Sequence, residues 1–321
     1  MSFQKYFLAF SVAAICLVLS LLLSFLPSAA LAQKILTGQE TMFVNLQNAK
    51  INFIPSASKE LKWRILEGTS DSVQVSIKDT AIIVSDRYFS KPVSLEFEIP
   101  SLTLEVHLKE GSINVKNWKH PILIEATKAK VNLKALKSTA KVILLNGELV
   151  ADENVGSIEA DSFAAMVKIT KQTGELIVSN FVGDTSIEKS QGSMQVSTTK
   201  GKSNIKDSSG TLKFDVKKGI LSTNSFKGRM EGQILDGSVS LNPSEEADIN
   251  VRSQKGRLTV VLPKDSSAYL SLSTEDGELY LPGNLKAYRD GSNKVYKGHA
   301  RGGGVKGQVV ARSSEGTIVV K

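Results

Sequence analysis

Three sets of side chains carry the types and spacings that could do chemistry. The first is basic: Lys286, Arg289, Lys294, Lys297, Arg301 and Lys306 stand between Pro282 and Gly307 against one acid, Asp290, and are interleaved with Tyr288, Tyr296 and His299. Cations among aromatic rings suit an anionic polysaccharide or a phospholipid headgroup, through charge and stacking. The candidate contacts are Lys286, Tyr288, Arg289, Lys294, Tyr296, Lys297 and Arg301, with a solvated loop as the competing reading. The second set is acidic: Glu148, Asp152, Glu159, Asp161, Glu175, Asp184 and Glu188. Paired carboxylates cleave or eliminate across glycosidic bonds, but the interspersed Lys, Ser and Asn favour a mixed solvated face. The third is the three histidines, His107, His120 and His299, which are far apart; His107 shares the polar phase of Glu105 and Lys109. No zinc-binding helix, nucleophile elbow or phosphate loop is present. The expectation is a non-enzymatic protein with no metal and no cofactor.

What must position these residues is a repeat. From Gly111 to Gly237 a nine-residue phase carries glycine in 11 of 15 slots, where random placement would give roughly one. Its regular run is Gly147, Gly156, Gly174, Gly183, Gly192, Gly201, Gly210, Gly219, Gly228 and Gly237. Two residues after the slot the chain is apolar in 13 of 15 repeats, and four residues after it again in 13 of 15, with polar residues between. Alternation of period two is a strand with one buried face. Each repeat therefore reads as a five-residue strand and a four-residue corner, with glycine where a side chain would obstruct the backbone.

One layer of strands cannot bury its apolar face. Winding two repeats into a coil of about eighteen residues, stacked at about 4.8 Å, gives a narrow β-solenoid; seven or eight coils would span about 35 Å. The rival all-β fold is an antiparallel sandwich or meander. A register held for 15 units without insertion favours the solenoid. Nine residues is also the period of calcium-binding β-rolls, but here the glycines are single and the residues after them vary, Lys202 among them. A lysine in that position is incompatible with a regular calcium ladder.

The units Gly156–Ala160 and Gly174–Val178 resemble those of a bacterial family of uncharacterised β-strand-repeat proteins described as adhesin-like. The approach, Val93–Pro100 and Leu104–Val115, is similar, as are Gly256–Pro263, Ser273–Gly277 and Arg312–Val320 at the close. The resemblance runs from about residue 40 to the C-terminus, on motifs that any β-solenoid could use. It implies a β-solenoid and an exported or envelope location, and it supplies no catalytic residues.

The ends complete the reading. Residues 1–32 form a signal segment: Lys5, an apolar run from Tyr6 to Leu26, Pro27, and Ala30-Leu31-Ala32 before Gln33. Left uncleaved, residues 6–26 are long enough to anchor the chain in a membrane. Cys16 is the only cysteine, so the mature chain has no disulfide or thiolate chemistry. Residues 33–100 read as an irregular N-terminal β cap, which would protect an open strand edge. Residues 101–321 read as the solenoid, with the basic insertion at 282–307 and the last strands closing its far end. Trp63 and Trp118 read as core or cap residues. The formal net charge of +8 falls to +7 without Lys5, and nucleic acid is a poor candidate partner for an exported chain whose charge is scattered.

The leading expectation is thus an exported, periplasmic, cell-surface or secreted scaffold or adhesin-like binding protein. Its partner would be an envelope component: polysaccharide, anionic lipid or protein. The alternatives are a carbohydrate-active β-helix enzyme using outward carboxylates, and a membrane-held envelope-stress sensor or regulatory partner.

Overall fold

The computed structural model describes residues 36, 40–78, 80–87, 92–245, 247–301 and 307–321. The expected signal segment, residues 1–32 with Lys5 and Cys16, lies outside the described residues, as does Lys306. The described chain is all-β, with one short 3-10 turn at Ser70–Ser72.

The strands Thr173–Asn180, Gln191–Thr198, Ser209–Val216 and Lys227–Ile234 pair in parallel, each residue with the one 18 positions on. Gly174, Gly192, Gly210 and Gly228 therefore fall in one column, and Leu176, Met194, Leu212 and Met230 in another. A second parallel ladder with the same offset joins Thr185–Glu188, Lys202–Lys206, Ile220–Asn224 and Ser238–Leu241. Two nine-residue repeats thus make one layer. In the earlier layers the strand does not break at the corner between the ladders. Thr103–Lys116, Ile122–Lys134, Ala140–Asp152 and Val155–Thr170 each run through both, because pairs such as Asn146 with Ala164 and Gly147 with Ala165 carry the ladder round the corner.

The expected inward positions are the core: Leu176, Val178, Ile187, Met194, Val196 and Ile205 are all buried. Burying each of these side chains contributes about 1.5–3 kcal/mol. The exceptions to the apolar pattern are resolved locally. Thr185 takes a hydrogen bond from the Asn180 amide at 3.3 Å, and Ser203 shares one of 2.6 Å with Thr198. Thr223 accepts from the Asn242 N–H at 3.0 Å, and the place of a side chain at Gly232 is filled by the Phe214 ring.

Glycine has two separate reasons in the repeat. Gly192 has φ +131°, and a methyl group there would also strike the Gly174 carbonyl of the neighbouring layer. Gly201 needs no unusual φ; it is required only because the Gly183 carbonyl packs against its Cα. The left-handed corner residues are not glycines at all. Asn117, Ala135, Glu153, Lys171, Lys189, Asp207 and Ser225 recur every 18 residues with φ between 48° and 58°. Each costs about 1–2 kcal/mol in backbone strain. The stacking offsets this, since each residue of the series from Asn117 to Asp207 donates its N–H to a carbonyl of the next layer, as in Lys171 to Glu188 at 2.9 Å.

The order of layers departs from the order of the chain at both ends. The first strand, Thr41–Pro55, lies between Thr103–Lys116 on one side and Ala81–Asp86 with Val93–Ile99 on the other, parallel to all three. Beyond them, Val73–Lys78 and Lys62–Glu67 pair antiparallel and end the stack. Trp118 is buried with its edge on Phe53 and donates to the Leu102 carbonyl at 2.8 Å, while Trp63 is half-buried on the outer strand. The far end repeats the arrangement. Gln308–Ser313 and Thr317–Val320 do not close it: they lie between Asp248–Ser253 with Arg257–Val260 and the layer of Tyr269–Thr274 and Leu279–Tyr280. The glycine column confirms the order, with Gly256 packed on Gly237, Gly316 on Gly256, and Gly277 on Gly316. The reason is burial. Val309, Ala311, Ile318 and Val320 are inward residues that need cover on both sides, and the returning Asn293–His299 strand, antiparallel to Tyr269–Thr274, supplies the end.

Two outcomes test this arrangement. Ile187→Asp or Val196→Asp should lose about 4 kcal/mol or more by placing an unpaired charge in the core, while Glu188→Ala should stay within about 0.5 kcal/mol by chemical denaturation. Truncation after Gly307 should unfold or aggregate the C-terminal layers, because it removes an inner layer; a simple drop in size with an unchanged melting temperature would contradict the order described.

Candidate functional site

Outward positions of the first ladder stack into columns just as the inward ones do. Gln195, Lys213, Glu231 and Asn250 are register partners, and two residues on so are Ser197, Asp215, Gln233 and Arg252. These two columns line a groove of about 670 Å³ over four layers, floored in part by Val196, Phe214 and Gly232. Its chemistry is balanced: Lys213 and Arg252 bring positive charge, Asp215 and Glu231 negative, and Gln195 and Gln233 donate and accept. Arg229 pairs with Glu231, which directs that carboxylate along the face. Such a surface offers hydrogen bonds in both senses to a polar ligand lying along the layers.

Five of the seven carboxylates singled out above make contacts between layers. Glu148 pairs with Lys130 at 2.8 Å and Glu159 with Lys141 at 2.7 Å, and that hydrogen bond holds the Lys141 ammonium above its ordinary range. Asp152 accepts from the Thr170 hydroxyl at 2.6 Å, which draws its carboxyl below the usual range. Asp184 accepts from the Lys202 N–H at 3.2 Å, and Glu175 from the Ser157 hydroxyl at 3.3 Å. His107 does face outward, as its phase requires, and stands between Glu105 at 3.0 Å and Glu125 at 3.1 Å. Among the described residues no group of three or more His, Asp or Glu side chains is arranged to hold a metal.

The basic stretch forms a hairpin, and the hairpin divides its candidate residues. Tyr288–Asp290 pairs antiparallel with Asn293–His299 around Gly291, which has φ +63°. Alternation puts Lys294 and Tyr296 on one face and Val295, Lys297 and His299 on the other. Tyr296 is buried over Leu272 and donates its hydroxyl to the His299 carbonyl at 3.0 Å; burial pushes its phenol up. It is a core residue of the terminal layer and offers no stacking platform. Lys294 is paired with Glu278 at 2.9 Å, whereas Lys286, Tyr288, Arg289, Lys297 and Arg301 are exposed. The structure therefore does not gather the seven residues into one surface. The groove residues were absent from the sequence-derived set, because their columns emerge only when the chain is written in rows of eighteen.

The chain matches no family model and no curated protein. Among solved structures it is similar to the crystal structure of a "putative cell adhesion protein" from Clostridium sporogenes, at 12% identity, covering 90% of this chain and 96% of that one, with a TM-score of 0.21. A likeness at that score carries no weight for fold or role.

Proposed function

We propose that the protein is a non-enzymatic, exported binding scaffold of the cell envelope, wound as a β-solenoid with two strand ladders per eighteen-residue coil. The winding is supported by parallel pairing at one constant offset through both ladders, where neighbours in a sandwich or meander would run antiparallel. Export rests on the Lys5 to Ala32 segment of the sequence. The observation that carries the function is the polar groove of Gln195, Lys213, Asp215, Glu231, Gln233 and Arg252. Amides and charges of both signs, repeated at the layer spacing, suit an extended polyhydroxylated chain. The ligand class is accordingly an envelope polysaccharide.

The test is binding of the protein to arrayed cell-wall polysaccharides at low and physiological salt. Gln195→Ala/Gln233→Ala/Arg252→Ala should weaken binding by about tenfold or more, given about 1 kcal/mol per hydrogen bond lost. Neutralising Lys286, Arg289, Lys297 and Arg301 should change it little. Binding lost only in the hairpin variant would move the site there, and release of shortened sugar chains would make the protein an enzyme instead.

A further inference from the structure

The corner between the two ladders carries a second surface, unrelated to the groove. Of 13 large hydrophobic residues exposed among the described residues, five fall within three successive layers: Leu145, Phe163, Met166, Phe181 and Val182, each 41–56% exposed. Leu145, Phe163 and Phe181 occupy equivalent corner positions, next to the register partners Leu144, Ser162 and Asn180. The two phenyl rings stack at 5.1 Å with 11° between their planes. Their backbone is held in place, with Phe181 N–H on the Ser162 carbonyl at 3.0 Å and Val182 N–H on Phe163 at 2.9 Å. This is a fixed apolar row, with no core beneath it left to fill.

Charge at the tip of this corner, the two positions that carry Phe181 and Val182 in their layer, is one-sided. The flanking layers place Thr127 and Lys128 on one side and Thr199, Lys200, Lys217 and Lys218 on the other. Over these six layers, about 24 Å at the strand spacing, the two positions at the tip of the corner carry no acid, while Glu125, Asp161 and Asp215 stand two residues before the tip and Glu148 and Asp184 two residues after it. Acids return to the tip itself at Glu110, which pairs with Lys128, and at Asp236. Lys200 stands 6.0 Å over the Phe181 ring, and Asp184, just beyond Val182, is engaged by the Lys202 N–H.

We propose that this corner docks on the surface of an anionic lipid bilayer, with Leu145, Phe163, Phe181 and Val182 entering the headgroup–acyl boundary and Lys200, Lys217 and Lys218 meeting the phosphates. An apolar centre flanked by lysines matches both layers of a lipid interface at once. A second copy of the chain fits less well, because a two-fold pairing of apolar centres would set the lysine-bearing ends against each other.

The experiment uses the full chain carrying Phe163→Trp, in vesicles of phosphatidylglycerol and phosphatidylcholine brominated on their acyl chains. Trp118 is fully buried and Trp63 half-buried on the outer strand, and the unsubstituted chain supplies the background from both. Emission from position 163 should fall by about half, as expected for a side chain ~5–10 Å into the boundary, while Val155→Trp, exposed beside the opposite, left-handed corner at Glu153, should be unaffected. Adding Lys200→Glu/Lys217→Glu/Lys218→Glu should restore the emission. Equal quenching at 163 and 155, or none at 163, overturns the proposal. So does a concentration-dependent shift at 163 without lipid, which would assign the corner to a second copy.

Discussion

Close approach between successive backbones governs this molecule. At the layer spacing of about 4.8 Å, the carbonyl of one corner packs on the Cα of the next, and the column from Gly183 through Gly201, Gly219, Gly237, Gly256 and Gly316 to Gly277 has no room for a side chain. Everything else inherits that spacing. The inward columns are continuous because the corners do not drift, and the outward columns are continuous for the same reason. A chain that broke this contact at one layer would lose register in both ladders beyond it.

Within that constraint the core volume is traded between layers. The buried residue after each left-handed corner runs Trp118, Leu136, Asn154, Gln172, Ser190, Ser208 and Phe226. Large residues occupy the two ends of the series, where Trp118 meets Phe53 of the capping layers. In the middle, polar residues replace apolar bulk, and Asn154, Ser190 and Ser208 make hydrogen bonds along the stack. Asn154 accepts from the Leu136 N–H at 2.8 Å, and Ser208 from the Ser190 N–H at 3.1 Å. A buried polar group bonded to the adjacent layer fixes register as well as satisfying itself.

Periodicity reports which way a residue faces and is silent on which strand it faces. Ile187 and Val196 were legible as buried because alternation alone decides that. The place of Thr317–Val320 was not: Ser313-Ser-Glu-Gly316 has the same form as Ser253-Gln-Lys-Gly256 and Thr274-Glu-Asp-Gly277, so the sequence allows any order for these three corners. Only the need to cover Ile318 and Val320 on both sides selects the inner position. Tyr296 misled for a related reason. Among Lys294, Lys297 and Arg301 it looks like part of an exposed basic surface, yet antiparallel pairing with Leu272 turns it into the core.

The two surfaces proposed for function share one origin. A stacked fold repeats each position once per layer, so a binding feature can be built by choosing residues eighteen apart, with no change to the backbone. Gln195, Lys213 and Glu231 make one such choice on the first ladder, and Leu145, Phe163 and Phe181 make another on the corner. Both sit where the core places no demand on side-chain type. Their composition is therefore free of the packing constraint that fixes Leu176 or Met194. That freedom makes a run of exposed phenyl rings informative: solvation favours polar residues there, and stability does not ask for aromatic ones.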